Sequence, residues 1–596
     1  MSDSARYVKL EPREHCLQRP AIYIGSTIAE PCVTWIADGD AQALVKREIS
    51  YVPALYKIVD EVIVNSVDHA TRTASEAAGA DLQRVKNIRV DVDAASGEIT
   101  VFNDGEGIPV VVHDEHGVYI PSMIFGEMMT GTNYDDSEER MIGGQNGLGA
   151  KTANIFSRSF AVETLDTGRK LLFKQTWSDN MAAKTRPSVT KCANKRAFTR
   201  VTFTPDFARF GVDGFSADMR GLIAKRVLDV CALTPADVAV SFNGRKLEAK
   251  TFEKFADLYL GKGAAGRPRA YERINDRWEI IAAVADGGFN HISFVNGIAT
   301  IRGGKHVDHI AGQLCRKVVD VLQSRGKSME HLKPAMVKER LMLFIKASVP
   351  NPTFDSQSKE TLTSPPTKWG CRVEVGDAFV DKLCAPKLGL VDALQEAVQR
   401  AGGKALAKSD GKKKSTVRVP KLSDAAAAGT KKAHECSLIL TEGDSALALV
   451  ISGRAVVGTE KLGAFPLKGK LLNTRDVSAK KMAENEELAN LKKILGLQSD
   501  KVYDDESVKE LRYGRIMLLT DADPDGAHIR ALVCNWIACN WPSLAKRPGF
   551  LCSMLTPVIK ATKGSATHAF HCMNDFVAWK ERQASLAGYS MKYYKG

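Results

Sequence analysis

The sequence has no long hydrophobic run and no export signal. No apolar stretch approaches the roughly 18–20 residues that a helix needs to cross a bilayer. The first residues, MSDSARYVKLEPREH, show neither the basic-then-apolar pattern nor the cleavage motif of a secretory signal. We therefore expect an intracellular protein with no membrane partner.

Paired cysteines and internal repeats are also missing. The 12 cysteines are scattered singly from Cys16 to Cys572, and no CxxC pair occurs. The nearest two, Cys534 and Cys539, fall in a predicted helix. This pattern predicts reduced, buried thiols rather than disulfides.

Length and charge set the next bounds. At 596 residues the chain is too long for one hydrophobic core and should form three or four domains. Hydrophobic residues at 44% and charged residues at 26% indicate a globular protein. The net charge of +13 and the pI near 9.0 fit a polyanionic partner such as nucleic acid. A basic surface can also serve only solubility, so charge alone leaves both interpretations open.

A helical pattern near the N-terminus carries the first candidate site. Within residues 54–73 the apolar positions mark one side of a helix, while Glu61, Asn65 and Asp68 share another face. A carboxylate and an amide one turn apart can orient a water and hold Mg²⁺ against a triphosphate, because phosphoryl transfer depends mainly on positioning and charge neutralisation. An ordinary amphipathic helix with a polar outer face would show the same pattern.

An alternating strand pattern at 98–103 then runs into a glycine-containing turn. Gly105 and Gly107 let backbone approach a flat ring, and a side-chain amide such as that of Asn103 can accept a hydrogen bond from an adenine amino group. This segment strengthens the prediction of a nucleotide site.

The third segment, GGQNGLGAKT at 143–152, leads into a helical pattern. Backbone N–H groups at such a glycine-rich helix start can cradle phosphates. A Walker A loop needs glycine, lysine and serine or threonine in direct succession, but Ala150 separates Gly149 from Lys151. The P-loop interpretation is therefore excluded.

A second candidate site lies near the C-terminus. The short apolar runs CSLILT and RIMLLT end at Glu442 and Asp521, as buried parallel strands do, and Asp523 and Asp525 follow. Carboxylates without His or Cys select Mg²⁺ or Mn²⁺. The string DADPDG also imitates an EF-hand loop, but Pro524 interrupts it and its twelfth position is leucine. The sequence predicts a divalent-metal site.

In this order, the three nucleotide segments resemble the Bergerat fold of type II topoisomerases, histidine kinases, MutL and heat-shock chaperones. The chain is most similar to eukaryotic-type topoisomerase II, through the runs RPAIYIGS (19–26), YVPALYK (51–57), MTGTNYDD (129–136) and NPTFDSQSKE (351–360). The resemblance implies an α/β (α+β multidomain) chain with a Bergerat (GHKL) ATPase fold, a transducer domain of ribosomal-protein-S5-like fold and a TOPRIM Rossmann-like parallel sheet.

The resemblance also assigns roles in ATP binding and hydrolysis. Glu61 would be the general base and Asn65 a Mg²⁺ ligand, and Asn103 would contact adenine. This chain departs from the family pattern at position 131, where it has glycine and the similar sequences place a serine. The other implied nucleotide contacts are Thr132, Asn133, Gly144, Gln145, Asn146, Gly147, Leu148, Gly149, Ala150, Lys151, and, from the second domain, Gln357 and Lys359.

The acidic cluster resembles the TOPRIM domain of topoisomerases and primases. Glu442 would assist proton transfer at the 3′ oxygen, and with Asp521, Asp523 and Asp525 it would hold Mg²⁺, with Mn²⁺ or Ca²⁺ as substitutes. The segment 465–473 resembles the family's DNA-backbone contact, with Lys468 and Lys470 as phosphate partners, although as isolated lysines these two would be ordinary surface residues. The DNA-contact candidates are Arg325, Lys327, Lys468, Lys470 and Asn473.

These patterns divide the chain. We expect an ATPase domain, a transducer domain, a basic linker, a TOPRIM domain and the start of a connection to a winged-helix domain, at 1–245, 246–400, 401–434, 435–560 and 561–596. Residues 401–435 hold nine basic and three acidic residues, which fits either a solvated tether or direct DNA contact.

The resemblance implies an ATP-dependent type II DNA topoisomerase, with this chain supplying the ATP gate and the metal half of the cleavage site. Its partners would be duplex DNA, a second copy of itself and a winged-helix domain in cis or in trans. In the family the nucleophilic tyrosine lies on a winged-helix domain that follows TOPRIM, and this sequence ends where that domain would begin, so we expect a fragment or one subunit of a split enzyme. Tyr513 does not replace that tyrosine, because it directly precedes a TOPRIM strand.

Two alternatives stay open at this stage. One is the ATPase subunit of a gyrase-like or phage-like enzyme, and the other is a nucleotide-gated clamp or chaperone without DNA chemistry. The acidic cluster argues against the clamp, which needs no second Mg²⁺ site. A eukaryotic-type enzyme would work in the nucleus or in the compartment that holds host or viral DNA.

Overall fold

In the computed structural model, two compact units divide the chain, Met1–Leu394 and Gln395–Gly596. The structure describes residues 9–38, 43–75, 82–132, 139–144, 146–262, 266–326, 329–414 and 416–596, apart from the side chain of Ala405. Within these ranges no helix is long and apolar enough to cross a membrane.

The first unit begins with a nine-stranded mixed sheet covered by helices. Its elements are α1 (Pro12–Gln18), α2 (Pro20–Tyr23), β1 (Glu30–Asp38), β2 (Ala43–Tyr51), α3 (Pro53–Ala74), β3 (Asn87–Val92), β4 (Ile99–Asn103), α4 (Ile120–Gly126), α5 (Gly149–Ile155), β5 (Ser157–Asp166), β6 (Leu171–Ser178), β7 (Ala183–Lys184), β8 (Ser188–Lys191), β9 (Phe198–Pro205), α6 (Ala217–Leu233), β10 (Ala239–Phe242), β11 (Arg245–Lys246) and α7 (Phe252–Leu260). The strand order is β11-β10-β3-β4-β9-β5-β6-β7, with β8 paired to β6, and β1 and β2 form a separate hairpin.

Helix α3 is the central helix in this part of the first unit. Pro53 occupies its first turn, where the missing N–H costs nothing. Its side chains Ile58, Val59 and Ile63 are 0–1% exposed within the main core. Because one side is buried so completely, the polar side at Glu61, Asn65 and Asp68 is held in a fixed direction.

A second sheet completes the first unit. Its elements are β12 (Arg269–Asn275), β13 (Trp278–Val284), β14 (Asn290–Val295), β15 (Ile298–Ala299), β16 (Gly303–Gly304), α8 (Lys305–Arg325), α9 (Pro334–Lys338), β17 (Leu341–Ala347), β18 (Thr361–Leu362) and α10 (Asp377–Leu383). The order is β12-β13-β17-β14-β15, with β14 and β17 parallel. Helix α11 (Leu390–Lys408) spans the boundary between the units.

The second unit holds a four-stranded parallel sheet and a small antiparallel sheet. Its elements are β19 (Ser437–Thr441), α12 (Asp444–Val457), β20 (Leu462–Pro466), α13 (Ala479–Glu484), α14 (Glu486–Leu495), β21 (Arg515–Leu519), α15 (Pro524–Asn540), α16 (Pro542–Ala545), β22 (Leu551–Ser553), β23 (Ile559–Lys563), β24 (Ala566–Phe570), α17 (Met573–Glu581) and β25 (Ser590–Tyr593). The orders are β20-β19-β21-β22 and β24-β23-β25. The predicted pair of adjacent parallel strands is confirmed, with Thr441 opposite Leu519.

The segment 401–434, predicted to be a basic linker that is either a solvated tether or a DNA contact, is partly packed in this structure. Helix α11 continues to Lys408, and Val419, Ala425 and Ala428 are buried in the core of the second unit. The prediction followed from the many lysines of this segment. The small apolar side chains between those lysines are nevertheless enough to pack the segment against the core of the second unit.

The segment 561–596, predicted to start a connection to a winged-helix domain, is folded in this structure. It contributes to the β24-β23-β25 sheet, and Ile559, Ala561, Phe570 and Phe576 form a small core of their own. Aromatic side chains bury much area each, so even this short segment forms a compact layer.

The cysteine prediction is partly wrong. All 12 thiols are free, but Cys534, Cys539 and Cys572 are exposed. The first two lie on the outer face of α15, whose inner face is filled by Val533 and Ile537.

Candidate functional site

A cavity of about 680 Å³ lies in the first unit, between α3, the turn after β4 and the glycine-rich segment before α5. It is lined by all the predicted nucleotide residues that the structure describes. These are Glu61, Asn65, Asn103, Thr132, Gly144, Asn146, Gly147, Leu148, Gly149, Ala150, Lys151, Gln357 and Lys359. The predicted Asn133 and Gln145 lie outside the described residues.

Glu61 is the buried carboxylate of this cavity, with 7% of its surface exposed. Lys57, one helical turn earlier, places its Nζ 2.6 Å from Glu61 Oε1. Burial alone would raise the pKa of Glu61, but the charges of Lys57 and Lys359 outweigh it and lower that pKa to about 2. Glu61 is therefore ionised at neutral pH.

Gly149, the first residue of α5, lies directly against Glu61. A Cβ at this position would stand 2.0 Å from Glu61 Oε2. Only glycine lets the start of α5 approach the carboxylate this closely.

Asp68 connects α3 to the glycine-rich segment. Its two carboxylate oxygens accept hydrogen bonds from the backbone N–H groups of Gly143 and Gly144, at 3.0 and 2.8 Å. Burial raises the pKa of Asp68 to about 6, although these two hydrogen bonds oppose the rise. The i+7 spacing from Glu61 placed Asp68 on the same face, but its role as an anchor of the glycine-rich segment was not foreseen.

Asn103 lies at the far end of the cavity with 6% of its surface exposed. Its Oδ1 is 2.8 Å from His69 Nδ1, and its Nδ2 is 3.3 Å from Ser66 Oγ. Burial lowers the pKa of His69 to about 4, so this ring is neutral at pH 7. His69 was not among the predicted site residues. It packs against the turn after β4, where a Cβ on Gly105 would lie 2.9 Å from the His69 ring.

Lys151 supports the glycine-rich segment from within. Its Nζ donates to the backbone oxygens of Thr130 and Gly147, at 2.6 and 2.5 Å. Burial lowers the pKa of Lys151 to about 8. This ammonium group therefore holds two chain segments together at the edge of the cavity.

Residues that follow β17 close the cavity on another side. Asn146 Nδ2 donates to Gln357 Oε1 at 2.8 Å, and Lys359 Nζ donates to the backbone oxygen of Gly143 at 3.2 Å. Both contacts span 211 or more residues of sequence. A phosphate group in the cavity would thus meet side chains of the glycine-rich segment and of the segment after β17.

The cavity can bind a nucleotide and activate a water. Backbone N–H groups at a helix start and two lysines favour phosphate oxygens, and the ionised Glu61 can accept a proton. Asn65, with an exposed side chain on α3, offers an oxygen suited to Mg²⁺. The lining also includes polar residues that the sequence analysis did not select, namely Arg72, Thr73, Glu106, Asp166, Arg169 and Thr199.

The acidic cluster of the second unit is arranged differently from the predicted metal site. Glu442 Oε2 accepts from the backbone N–H of Asp521 at 3.2 Å, so these two residues meet at the strand ends as expected. Asp523 instead caps α15 by accepting from the N–H of Gly526 at 2.8 Å, and Asp525 pairs with Lys470 at 2.9 Å. Among the described residues, no group of three or more His, Cys, Asp or Glu side chains is placed to hold a metal ion.

The difference arises because each carboxylate of the cluster has its own cationic or backbone partner. Asp521 pairs with Lys595, and the Asp523 side chain satisfies a helix N-terminus. The donor set still consists of hard oxygens at one sheet edge, which fits Mg²⁺ in chemical type.

The candidate DNA-contact residues that the structure describes lie near the surface. Lys468 pairs with Glu486 at 3.4 Å and Arg325 with Asp381 at 3.6 Å. Asn473 accepts from the backbone N–H of Arg475 at 3.1 Å. The predicted Lys327 lies outside the described residues.

Tyr513 is excluded as an exposed nucleophile. Its side chain is 0% exposed and donates a hydrogen bond to Asp424, which also pairs with Arg512. Burial raises the pKa of this phenol well above its usual range. The Arg512–Tyr513 pair is therefore part of the core.

Comparison with known proteins gives three family matches. Residues 51–208 match the family described as histidine kinase-, DNA gyrase B- and HSP90-like ATPase. Residues 252–414 match the family DNA gyrase B, and residues 554–596 match the C-terminal associated domain of TOPRIM.

Individual proteins match the whole chain or its first two thirds. DNA topoisomerase 2 of Arabidopsis thaliana is 41% identical and that of Meyerozyma guilliermondii 39%, over 99% and 100% of this chain. The chain spans 40% and 43% of the length of these two relatives. The crystal structure of the ATPase region of Saccharomyces cerevisiae topoisomerase II is similar at 37% identity and a TM-score of 0.60, over 66% of this chain and 99% of that one. The ATPase and transducer domains of Balamuthia mandrillaris topoisomerase II match at 38% and 0.61, over 67% and 98%.

Proposed function

Because the chain belongs to the eukaryotic-type DNA topoisomerase II family, as its ATPase, transducer and TOPRIM part, we propose that it drives ATP-dependent passage of one DNA duplex through another. It would supply the ATP gate and the metal-binding half of the DNA-cleavage site. Such an enzyme acts wherever the cell or virus keeps its DNA.

One observation carries this proposal. Side chains from α3, the turn after β4, the glycine-rich segment and the segment after β17 converge on a single cavity. Gln357 and Lys359 come from the part of the chain that matches DNA gyrase B, whereas Glu61 comes from the part that matches the ATPase family. A nucleotide in this cavity would therefore bridge both parts.

The residues of the cavity divide the work of hydrolysis. Glu61 would take the proton of the attacking water, and Lys359 and the N–H groups of the glycine-rich segment would stabilise charge on the phosphates. Asn65 would hold Mg²⁺, which supplies charge neutralisation when bound. Loss of the γ-phosphate would remove a shared contact and release the two parts from each other.

ATP turnover tests the proposal directly. We expect the 596-residue chain to release phosphate from ATP in the presence of Mg²⁺ and to do so faster when duplex DNA is added. No ATP turnover, or a chain that binds no duplex DNA and turns over ATP equally well with and without it, would contradict the proposal.

A second prediction concerns assembly. We expect a non-hydrolysable ATP analogue to convert the 64.9 kDa chain into a dimer, because a gate of this kind closes around a two-fold axis. Light scattering with and without the analogue measures the mass. A mass that stays at one chain under saturating analogue would count against an ATP-dependent gate.

A third prediction concerns the acidic cluster. We propose that Glu442, Asp521, Asp523 and Asp525 hold Mg²⁺, so the double variant Glu442→Gln/Asp521→Asn should weaken Mn²⁺ binding without nucleotide by at least about tenfold. Electron paramagnetic resonance of free Mn²⁺ reports the binding.

The control for this metal prediction is Asp575→Asn, which removes an exposed carboxylate on α17. This control should bind Mn²⁺ like the parent chain. Equal binding by the parent and the double variant would place the ion elsewhere.

A further inference from the structure

A two-residue turn of the second sheet is partly buried in the first unit. Asn296 and Gly297 join β14 to β15 with φ angles of 49° and 78°. Asparagine and glycine suit such a turn, since they tolerate positive φ better than other residues. The tip of a hairpin normally faces solvent, yet Asn296 is only 6% exposed.

The Asn296 side chain connects this turn to Ile142, which directly precedes the glycine-rich segment, and to Val349, which follows β17. Its Nδ2 donates to the backbone oxygen of Ile142 at 3.2 Å and to that of Val349 at 2.8 Å, and its Oδ1 accepts from the N–H of Val349 at 2.8 Å. Three hydrogen bonds fix the orientation of the amide. A Cβ on Gly143 would lie 2.7 Å from Ile298 Cδ1, so the segment rests directly on the hairpin.

Gly297 fastens the same turn to α3. A Cβ on this residue would stand 2.8 Å from Val67 Cγ1 of that helix. The two backbones can approach this closely only because residue 297 lacks a side chain.

Arg226 adds a charged connection between the turn and the helix. It is fully buried, donates to the backbone oxygen of Gly297 at 2.8 Å and pairs with Asp60 Oδ1 at 2.5 Å. Asp60 is the neighbour of Glu61 in α3. The turn therefore touches both components that meet at the cavity, although neither of its residues lines the cavity.

We propose that the Asn296–Gly297 turn is a positioning element for ATP hydrolysis, which holds the glycine-rich segment and the Glu61 helix in the placement that the reaction needs. The inference rests on the proposed ATPase function. Gln357 and Lys359 contact the cavity directly, whereas the turn acts from outside the cavity lining. A change in the second sheet would thereby reach the catalytic carboxylate without touching the nucleotide.

Two variants of Asn296 isolate its side chain. Asn296→Gly keeps the positive φ free of strain but removes all three hydrogen bonds, and Asn296→Asp keeps the shape but cannot donate to Ile142 or Val349. The chain offers a matched control in the Asn243–Gly244 turn, with φ angles of 47° and 74°. Asn243 Oδ1 accepts from the N–H of Val92 at 2.8 Å, away from the cavity.

The experiment measures steady-state ATP hydrolysis by the full 596-residue chain. We expect both Asn296 variants to lower kcat by about ten- to a hundredfold while the KM for ATP changes little, because small misplacements of reacting groups cost mainly rate. Asn243→Gly should keep the parent kcat. An unchanged kcat in the Asn296 variants, or an equal fall in Asn243→Gly, would overturn the proposal, whereas a parent chain without ATP turnover would refute the ATPase function itself.

A compensating pair tests the contact with α3. Gly297→Ala should lower kcat by pushing the turn away from Val67, and adding Val67→Ala should restore most of the rate because it removes the overlapping methyl groups. The backbone strain of alanine at positive φ is the same in both variants, so recovery isolates the contact. A double variant no faster than Gly297→Ala alone would contradict the role of this contact.

Discussion

Replacing Glu61 by glutamine is expected to lower ATP hydrolysis by about 10²–10⁴-fold, the usual contribution of a general base. The amide retains the shape of the side chain and an oxygen that can accept from Lys57 Nζ, which lies 2.6 Å away. It cannot take the proton of the attacking water. ATP binding should therefore survive, and phosphate release with calorimetric nucleotide titration separates the two effects.

The control for this experiment is Glu48→Gln, which changes an exposed carboxylate on β2. It should turn over ATP like the parent chain. If Glu61→Gln hydrolysed ATP at the parent rate, another group would have to be the base.

Replacing Lys57 by methionine should have the second-largest effect. The Lys57 and Glu61 side chains are only 10% and 9% exposed, so the substitution strands a carboxylate in the protein interior. Removing one partner of a buried ion pair typically costs about 3–5 kcal/mol of unfolding free energy. Urea unfolding near pH 7 measures this loss, and Lys46→Met, on the exposed face of β2, is the matched control.

The same substitution should also change how the stability of the chain depends on pH. In the parent chain the pKa of Glu61 is lowered to about 2 from 4.5, so its stabilising contribution is complete above about pH 4.5 and disappears as the pH falls towards 2. Without Lys57, burial is opposed only by the charges of Lys359 and Arg226, so the pKa of Glu61 should rise from its value in the parent chain. The Lys57→Met chain should then gain stability relative to the parent as the pH falls from 7, and the acidic limb of its kcat/KM profile should move to higher pH.

A double variant completes this test. Lys57→Met/Glu61→Gln should recover much of the lost stability, because a neutral amide is less costly to bury than an unpaired carboxylate. No recovery would mean that Lys57 stabilises the chain through packing and not through its charge.

Local periodicity predicted the elements that present the site. The polar face of α3 follows from the spacing of Glu61, Asn65 and Asp68, and the parallel pairing of β19 with β21 follows from two apolar runs that end at carboxylates. These signals are visible in a single sequence because each depends on neighbours within a few turns or along one strand.

Contacts between residues far apart in the sequence could not be predicted from local periodicity. The position of Gln357 and Lys359 was expected only from a family resemblance, since nothing local points from that segment to the cavity. His69 and the ion pair of Lys57 with Glu61 were missed because a polar side chain inside an apolar helix pattern does not reveal its partner. The packing of residues such as Val419 and Ala425 in the segment 401–434 was not foreseen, because lysines dominate the composition of that segment.

The hydrogen bond from Lys359 to Gly143 has a consequence for folding during synthesis on the ribosome. The two residues are 216 positions apart, so the nucleotide cavity stays open on one side until the later segment has been synthesised. At about 5–20 residues per second, the ribosome needs roughly 10–40 s to travel this distance. During that interval the nascent ATPase layer must remain soluble with its glycine-rich segment uncovered, and it can acquire its complete nucleotide pocket only after the second sheet has emerged.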